Sequence, residues 1–286
     1  SNSYHQLDTY CEALSWKIDD PIMEFRMQTG LSEAIAVFTS KDYFDQREYL
    51  AAQGYATYNP LVRLFQYGRQ VGENYFPADG FAAFMKLPLS SVRTLLIDLA
   101  NQGFIYYDRE LEEITLLKKL YHYNSASAGR IDFDIIKFVS RTSQESNAIL
   151  NIATRELQVN GVNVVILSDT HTVFMVPEGK KVLVTKNRGM NFSGHVHAGT
   201  LDFYGDGFAF DYDSFMVRMQ NVDSMRFQVL TGRYDVRGQS VLAQIENALE
   251  NITGTLYIDH PGNKSARKPL YQYPYFVSKQ ESFVYY

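Results

Sequence analysis

The stretch GHVHAGTLDFYGDGFAFDYD, residues 194 to 213, decides the fold. Apolar residues alternate with polar or small ones along its runs, the period of two that specifies β-strand. Gly199, Gly205 and Gly207 punctuate the alternation, so the stretch reads as rungs: strand, glycine turn, strand, glycine turn, strand. That order predicts a stacked, solenoid-like β-architecture rather than a closed one.

The same texture extends outward on both sides. RIDFDIIKFVS (130–140), HTVFMVP (171–177) and KKVLVTK (180–186) alternate between Gly-, Asn- and Asp-rich turns. One helix is predicted to interrupt them, because Val241, Leu242, Ile245, Leu249 and Ile252 recur at helical spacing. At the N-terminal end, LSWKIDDPIMEFRMQ (14–28) predicts two strands broken at Pro21, and AIAVFTS (34–40) a third. The 21 Tyr and 19 Phe against a single Trp also suit sheet faces better than helix bundles.

Between Asn59 and Leu120 the period turns helical. Leu61, Leu64 and Phe65 share one face, PADGFAAFMKL opens on Pro77 and Asp79, and LSSVRTLLIDLANQGF places Val92, Leu95, Leu96 and Leu99 on another face. Ser90 or Ser91 is the expected N-cap of that last helix and Gly103 its stop. FIYYD, the charged turn DRELEE and EITLL then predict a hairpin. Three helices and a two-stranded wing give the order of a winged-helix unit. The chain is therefore expected to be mixed α+β, mainly β: stacked or solenoid-like β-structure with a helical winged-helix-like insertion. The expected domains are N-terminal strands over 1–41 joining the β-part, the helical unit over 42–123, and a solenoid-like domain over 124–286.

HVHAGTLDFYGDGFAFDYDSFMVRMQNVDSMRF and LENITGTLYIDHPGNKSARKPLYQYPYFVSKQESFVYY resemble segments of very large uncharacterised exported proteins of Bacteroidetes-type bacteria. The resemblance covers roughly residues 125 to 286, and the helical part more loosely. It implies an internal piece of a longer, exported chain, located in the periplasm or outer envelope, and it carries no activity, cofactor or catalytic residue. The run AGTLDFYGDGFAF also looks like the stacked β-folds of lipopolysaccharide-transport bridge proteins. The abrupt ends, Ser1-Asn2-Ser3 and the aromatic SFVYY, fit a chain cut from something longer.

Asp169 and His171, followed by His195 and His197, are spaced like the first and last ligand sets of a two-metal phosphoesterase. Within each pair, i and i+2 share a strand face. However, the twenty-odd residues between the pairs are a strand hairpin, VPEGKKVLVTKNRGMN, that supplies none of the remaining ligands. The favoured reading makes these histidines partly exposed strand residues, with a metal-dependent phosphoesterase-like hydrolase as the alternative. Asp132/Asp134 and Asp211/Asp213 read as solvated outer-face carboxylates. Tyr271, Tyr273, Tyr275, Phe276, Tyr285 and Tyr286 read as sheet face to be covered by a further segment, with a sugar- or peptide-binding strip as the alternative.

A second alternative, a DNA-binding winged-helix regulator, meets a charge problem. Residues 54–123 hold seven basic residues (Arg63, Arg69, Lys86, Arg93, Arg109, Lys118, Lys119) and seven acidic ones (Glu73, Asp79, Asp98, Asp108, Glu110, Glu112, Glu113). Phosphate binding needs a basic surplus, and the net charge of the whole chain is −5. One cysteine, Cys11, excludes an internal disulfide framework, and no run of apolar residues is long enough to span a membrane. The expectation is a non-catalytic structural or interaction segment without a cofactor. Its partners would be the remainder of its own longer chain or another envelope protein, with no nucleic acid bound.

Overall fold

A computed structural model describes residues 2–28, 34–53, 58–234, 236–238, 240–244 and 249–279. The chain divides into two compact units, one made of Ser1–Tyr43 with Asp134–Tyr286 and the other of Phe44–Phe133.

In chain order the first unit contributes β1 (Leu7–Tyr10), β2 (Ala13–Trp16), β3 (Ile22–Arg26) and β4 (Ala34–Ser40). The second unit follows with α1 (Gln46–Gln53), α2 (Pro60–Val71), β5 (Tyr75–Pro77), α3 (Ala78–Met85), α4 (Leu89–Asn101), β6 (Ile105–Asp108), β7 (Glu113–Leu116) and α5 (Lys118–Ser127). The chain then returns to the first unit with β8 (Lys137–Thr142), β9 (Ala148–Asn151), β10 (Glu156–Val159), β11 (Val165–Ser168), β12 (Val173–Pro177) and β13 (Val182–Val184). Last come β14 (Met190–Ala198), β15 (Leu201–Asp211), β16 (Met216–Tyr234), β17 (Ser240–Gln244), β18 (Leu249–Tyr257) and β19 (Tyr275–Ser278).

The first unit is mainly β and every pairing between its named strands is antiparallel. A small sheet runs β1-β4-β8, and a large one runs β19-β18-β16-β15-β14-β13-β10-β9-β3-β2. The large sheet forks at β14. The first residues of that strand pair with β13 and the last five with β12, which in turn pairs with β11. Inward-facing Val165, Met175, Val196, Phe203, Phe208, Val217 and Leu256 fill one continuous core with Phe38 and Phe138 of the small sheet.

The expected solenoid is not what forms. Solenoid rungs advance in one direction, whereas here β14, β15 and β16 are successive antiparallel hairpin strands. The misreading lies in two glycines. Gly205 and Gly207 sit inside β15, not between strands, at the points where register shifts against β14 and β16. A Cβ on Gly205 would stand 2.0 Å from the Asn221 carbonyl oxygen, so Gly205 permits a close backbone approach rather than a turn. The predicted helix over 241–252 is likewise corrected to β17 and β18, which both pair with β16; Ile245 lies outside the described residues. Cross-strand pairing with a long neighbour overrides the local helical period there.

In the second unit, helices pack on a three-stranded sheet ordered β5-β7-β6. Its core gathers Leu61, Leu64, Phe81, Val92, Leu96 and Tyr123. Asn59 caps α2, its side chain accepting the Leu61 N–H at 2.9 Å. Helix α4 is not capped by Ser90 or Ser91: Pro88 is its N-cap and no side chain bonds there. Proline fixes the entry backbone and has no N–H to satisfy. Gly103, at φ +75°, follows the helix end. Helix α5 and the segment through Phe133 belong to this unit, so residues 124–133 are not part of the β-rich unit.

Candidate functional site

β14 and β15 turn through Gly199 and Thr200, with Gly199 at φ +62°. This tight turn fixes which residues face each other: His197 opposite Asp202, and His195 opposite Tyr204. Val196, Ala198 and Phe203 point inward and are buried, which holds the intervening residues on the outer face.

His195 Nε2 lies 2.7 Å and His197 Nδ1 2.8 Å from one and the same oxygen, Asp202 Oδ1. An ionised carboxylate only accepts, so each facing ring nitrogen carries its proton. The imidazoles are held flat by aromatic neighbours. Tyr204 stacks on His195 with centroids 4.5 Å apart at 9°, and Phe174 of β12 stacks on His197 at 4.9 Å and 26°. Arg226 of β16 is opposite Asp202 in the register, with its guanidinium 5.5 Å from the centre of the Tyr204 ring. Partial burial works to raise the Asp202 carboxyl. Hydrogen bonds from His197 and His195 outweigh it and hold the group below the usual carboxylate range.

The ligand atoms of His195, His197 and Asp202 lie within 4.8 Å of one another, and no other group of three or more such residues does so among the described residues. All three side chains remain accessible, 23% exposed for His195 and 18% for the other two. Two imidazoles and one carboxylate from adjacent strands can hold a transition-metal ion on three sides and leave the fourth to solvent.

The four residues singled out by spacing do not all meet. Asp169 is exposed in the turn after β11, and its carbonyl oxygen accepts the Thr172 N–H. His171 lies elsewhere, with Nε2 at 2.8 Å from Asp259 Oδ2. Asp259 is buried, and the same oxygen accepts from Asn263 Nδ2 at 2.9 Å. Thus His195 and His197 come together, but with Asp202 as the third member. Asp202 was findable: a two-residue turn after HVHA necessarily places it opposite His197.

Of the tyrosine strip, Tyr271 is almost fully exposed. Tyr273 and Tyr275 have ring centroids 5.2 Å apart, and Tyr275 stacks on Tyr257 at 4.8 Å. Tyr285 and Tyr286 lie outside the described residues.

One acidic pair needs correction. Asp134 is not a solvated carboxylate but fully buried, accepting from Ser40 Oγ at 2.8 Å and from the Ile136 N–H at 3.0 Å. Burial pushes its carboxyl up to about 6, against the lowering effect of the Tyr212 and Ser40 hydroxyls and the Arg188 guanidinium. Arg188 pairs with Asp42 and lies 3.6 Å over the Tyr212 ring. Nearby, a cleft of about 650 Å³ is lined by Tyr4, Lys186, Asn187, Asp211, Asp213 and Arg218 among others. In it Arg218 pairs with Asp211, and Asn187 donates to Asp213 at 2.6 Å.

Comparison with protein-family models, curated proteins and solved structures returns no match. Among the described residues, no single helix is long and apolar enough to cross a membrane.

Proposed function

We propose that this chain is a non-catalytic structural and protein-interaction segment of a large envelope-associated protein, in contact with the rest of its own chain or with another envelope protein. The observation that carries this reading is the state of the strand at one end of the large sheet. β2 ends the strand order, and its Leu14 and Trp16 are 55% and 49% exposed, with Ile18 beyond it 83% exposed. An exposed, apolar sheet edge is a template for another strand and is a hazard in a protein meant to stay alone. At the opposite end of the order, β19 carries the stacked Tyr275 and the exposed Val277. The resemblance of residues 125 to 286 to segments of very large exported proteins agrees with such use.

The second unit fits the same reading. Its order α2-β5-α3-α4-β6-β7, with β5 pairing with β7, supports reading it as a winged-helix-like module. Arg93, the single basic residue of α4, is held 2.5 Å from Glu112 in the turn between β6 and β7. A helix whose cation is already neutralised suits protein docking and not a phosphate backbone. A regulator of DNA is correspondingly disfavoured.

The test is a photo-crosslinking amino acid placed at Leu14 in the protein produced in its own cells. Crosslinks to a distant segment of the same polypeptide or to an envelope protein support the reading. A protein that crosslinks to neither at Leu14, while a probe at Tyr271 also stays silent, contradicts it.

A further inference from the structure

We propose that His195, His197 and Asp202 form a binding site for one first-row divalent transition metal of the zinc and cobalt class, ligated through His195 Nε2, His197 Nδ1 and a carboxylate oxygen of Asp202. This inference does not depend on the scaffold reading, since it concerns one patch of outer sheet face.

The chemistry of the donor set selects the ion. Calcium and magnesium take oxygen ligands, whereas two imidazoles with one carboxylate match zinc, cobalt, nickel or iron. The geometry is close to what such an ion needs. Tetrahedral ligands about 2.0–2.2 Å from zinc stand roughly 3.3–3.5 Å from one another. The two nitrogen-to-oxygen separations are 2.7 and 2.8 Å and all three ligand atoms lie within 4.8 Å of one another, so opening each nitrogen–oxygen pair by about 0.5–0.8 Å admits the ion. Small side-chain rotations supply it, because the strands beneath are fixed by buried Val196, Ala198 and Phe203.

The rings are already aimed. Stacking against Tyr204 and Phe174 restrains both imidazole planes, the task that hydrogen-bonded outer partners perform at many metal sites. Converging two N–H groups on one carboxylate oxygen is also the arrangement a metal replaces without a change of protein charge. On binding, the protons shift to His195 Nδ1 and His197 Nε2 by tautomer exchange with solvent, and the lone pairs turn to the ion. The fourth position faces solvent and takes water or a donor atom from a partner.

The competing account is a hydrogen-bonded trio that merely pins the hairpin. The two accounts part on metal alone. Stripped full-length protein is titrated with Co²⁺ and followed by visible absorption, then competed with Zn²⁺. The proposal expects one equivalent of Co²⁺, bands of the intensity of a four-coordinate ion, and their loss on adding Zn²⁺. His195→Ala/His197→Ala is expected to weaken binding by at least about 100-fold, while His260→Ala, at an exposed histidine outside the trio, leaves it unchanged. Asp202→Asn keeps the shape and removes the anionic ligand, so it too weakens binding, and it decides the matter if the double variant does not fold. No saturable Co²⁺ bands, or bands unchanged by Asp202→Asn, would overturn the proposal.

Discussion

His197 and Asp202 face each other across the Gly199–Thr200 turn, with Nδ1 2.8 Å from Oδ1, and His195 reaches the same oxygen from two residues earlier. The pairing follows from hairpin register alone, so the trio is as rigid as the strands that carry it.

That rigidity depends on close backbone approach at Gly205. Gly205→Ala would push a Cβ to 2.0 Å from the Asn221 carbonyl, which only backbone movement relieves. It is expected to destabilise the β-rich unit by about 3 kcal/mol or more. Gly207→Ala meets nothing nearer than 3.9 Å and is charged only for its φ of +66°, about 1–2 kcal/mol. Urea midpoints of the two variants measure the contrast, and equal losses would refute it.

Asp134 gives a pH signature. Its folded carboxyl is raised from 3.8 to about 6, so the folded state holds the proton more tightly than the unfolded chain does. The stabilisation this supplies is present in full below about pH 4 and is lost as pH rises through about 6. Asp134→Asn cannot titrate. Its stability relative to the parent should therefore improve between pH 4.5 and 7.5, by about 1–3 kcal/mol. Denaturation at the two pH values measures this, and a relative stability that falls with pH would show the sign to be wrong.

His171 is assigned a structural role. Removing its ring in His171→Ala takes one partner from buried Asp259, leaving Asn263 and the His260 N–H. The expected cost is about 1–3 kcal/mol, read as a lowered melting temperature, with cobalt binding by the folded protein unchanged.

Arg93→Ala should be nearly silent for folding. The Arg93–Glu112 pair is about half exposed on the arginine side and contributes under about 1 kcal/mol. If this arginine instead served nucleic acid, the same variant would lower affinity for mixed duplex at low salt; no binding is expected with either protein.

Much of the fold is legible in residue order because strand period is local. AIAVFTS becomes β4 and TVFMVP supplies β12, since every second position is buried. What local pattern cannot carry is direction and partner. Gly205 looks like a turn until the Asn221 backbone is seen beside it. The apolar spacing of Val241, Leu242, Leu249 and Ile252 suits a helix until the long backbone of β16 offers Met216–Met225 and Gln228–Tyr234 for pairing. The site divides the same way. His195 and His197 announce themselves by alternation, whereas Asp202 needs the turn between strands, and Asp259 sits 88 residues from His171 with no signal linking them. Asp134 reads as a surface residue for the same reason, its burial being made by Ser40 and Arg188 from distant segments.

The central claim, that this chain works as a segment of a large envelope protein, is tested most directly by fractionating the source cells and probing each fraction with antiserum to this chain. The account predicts a band several times larger than 32.8 kDa in the envelope fraction. A band near 32.8 kDa in the cytoplasm would contradict it.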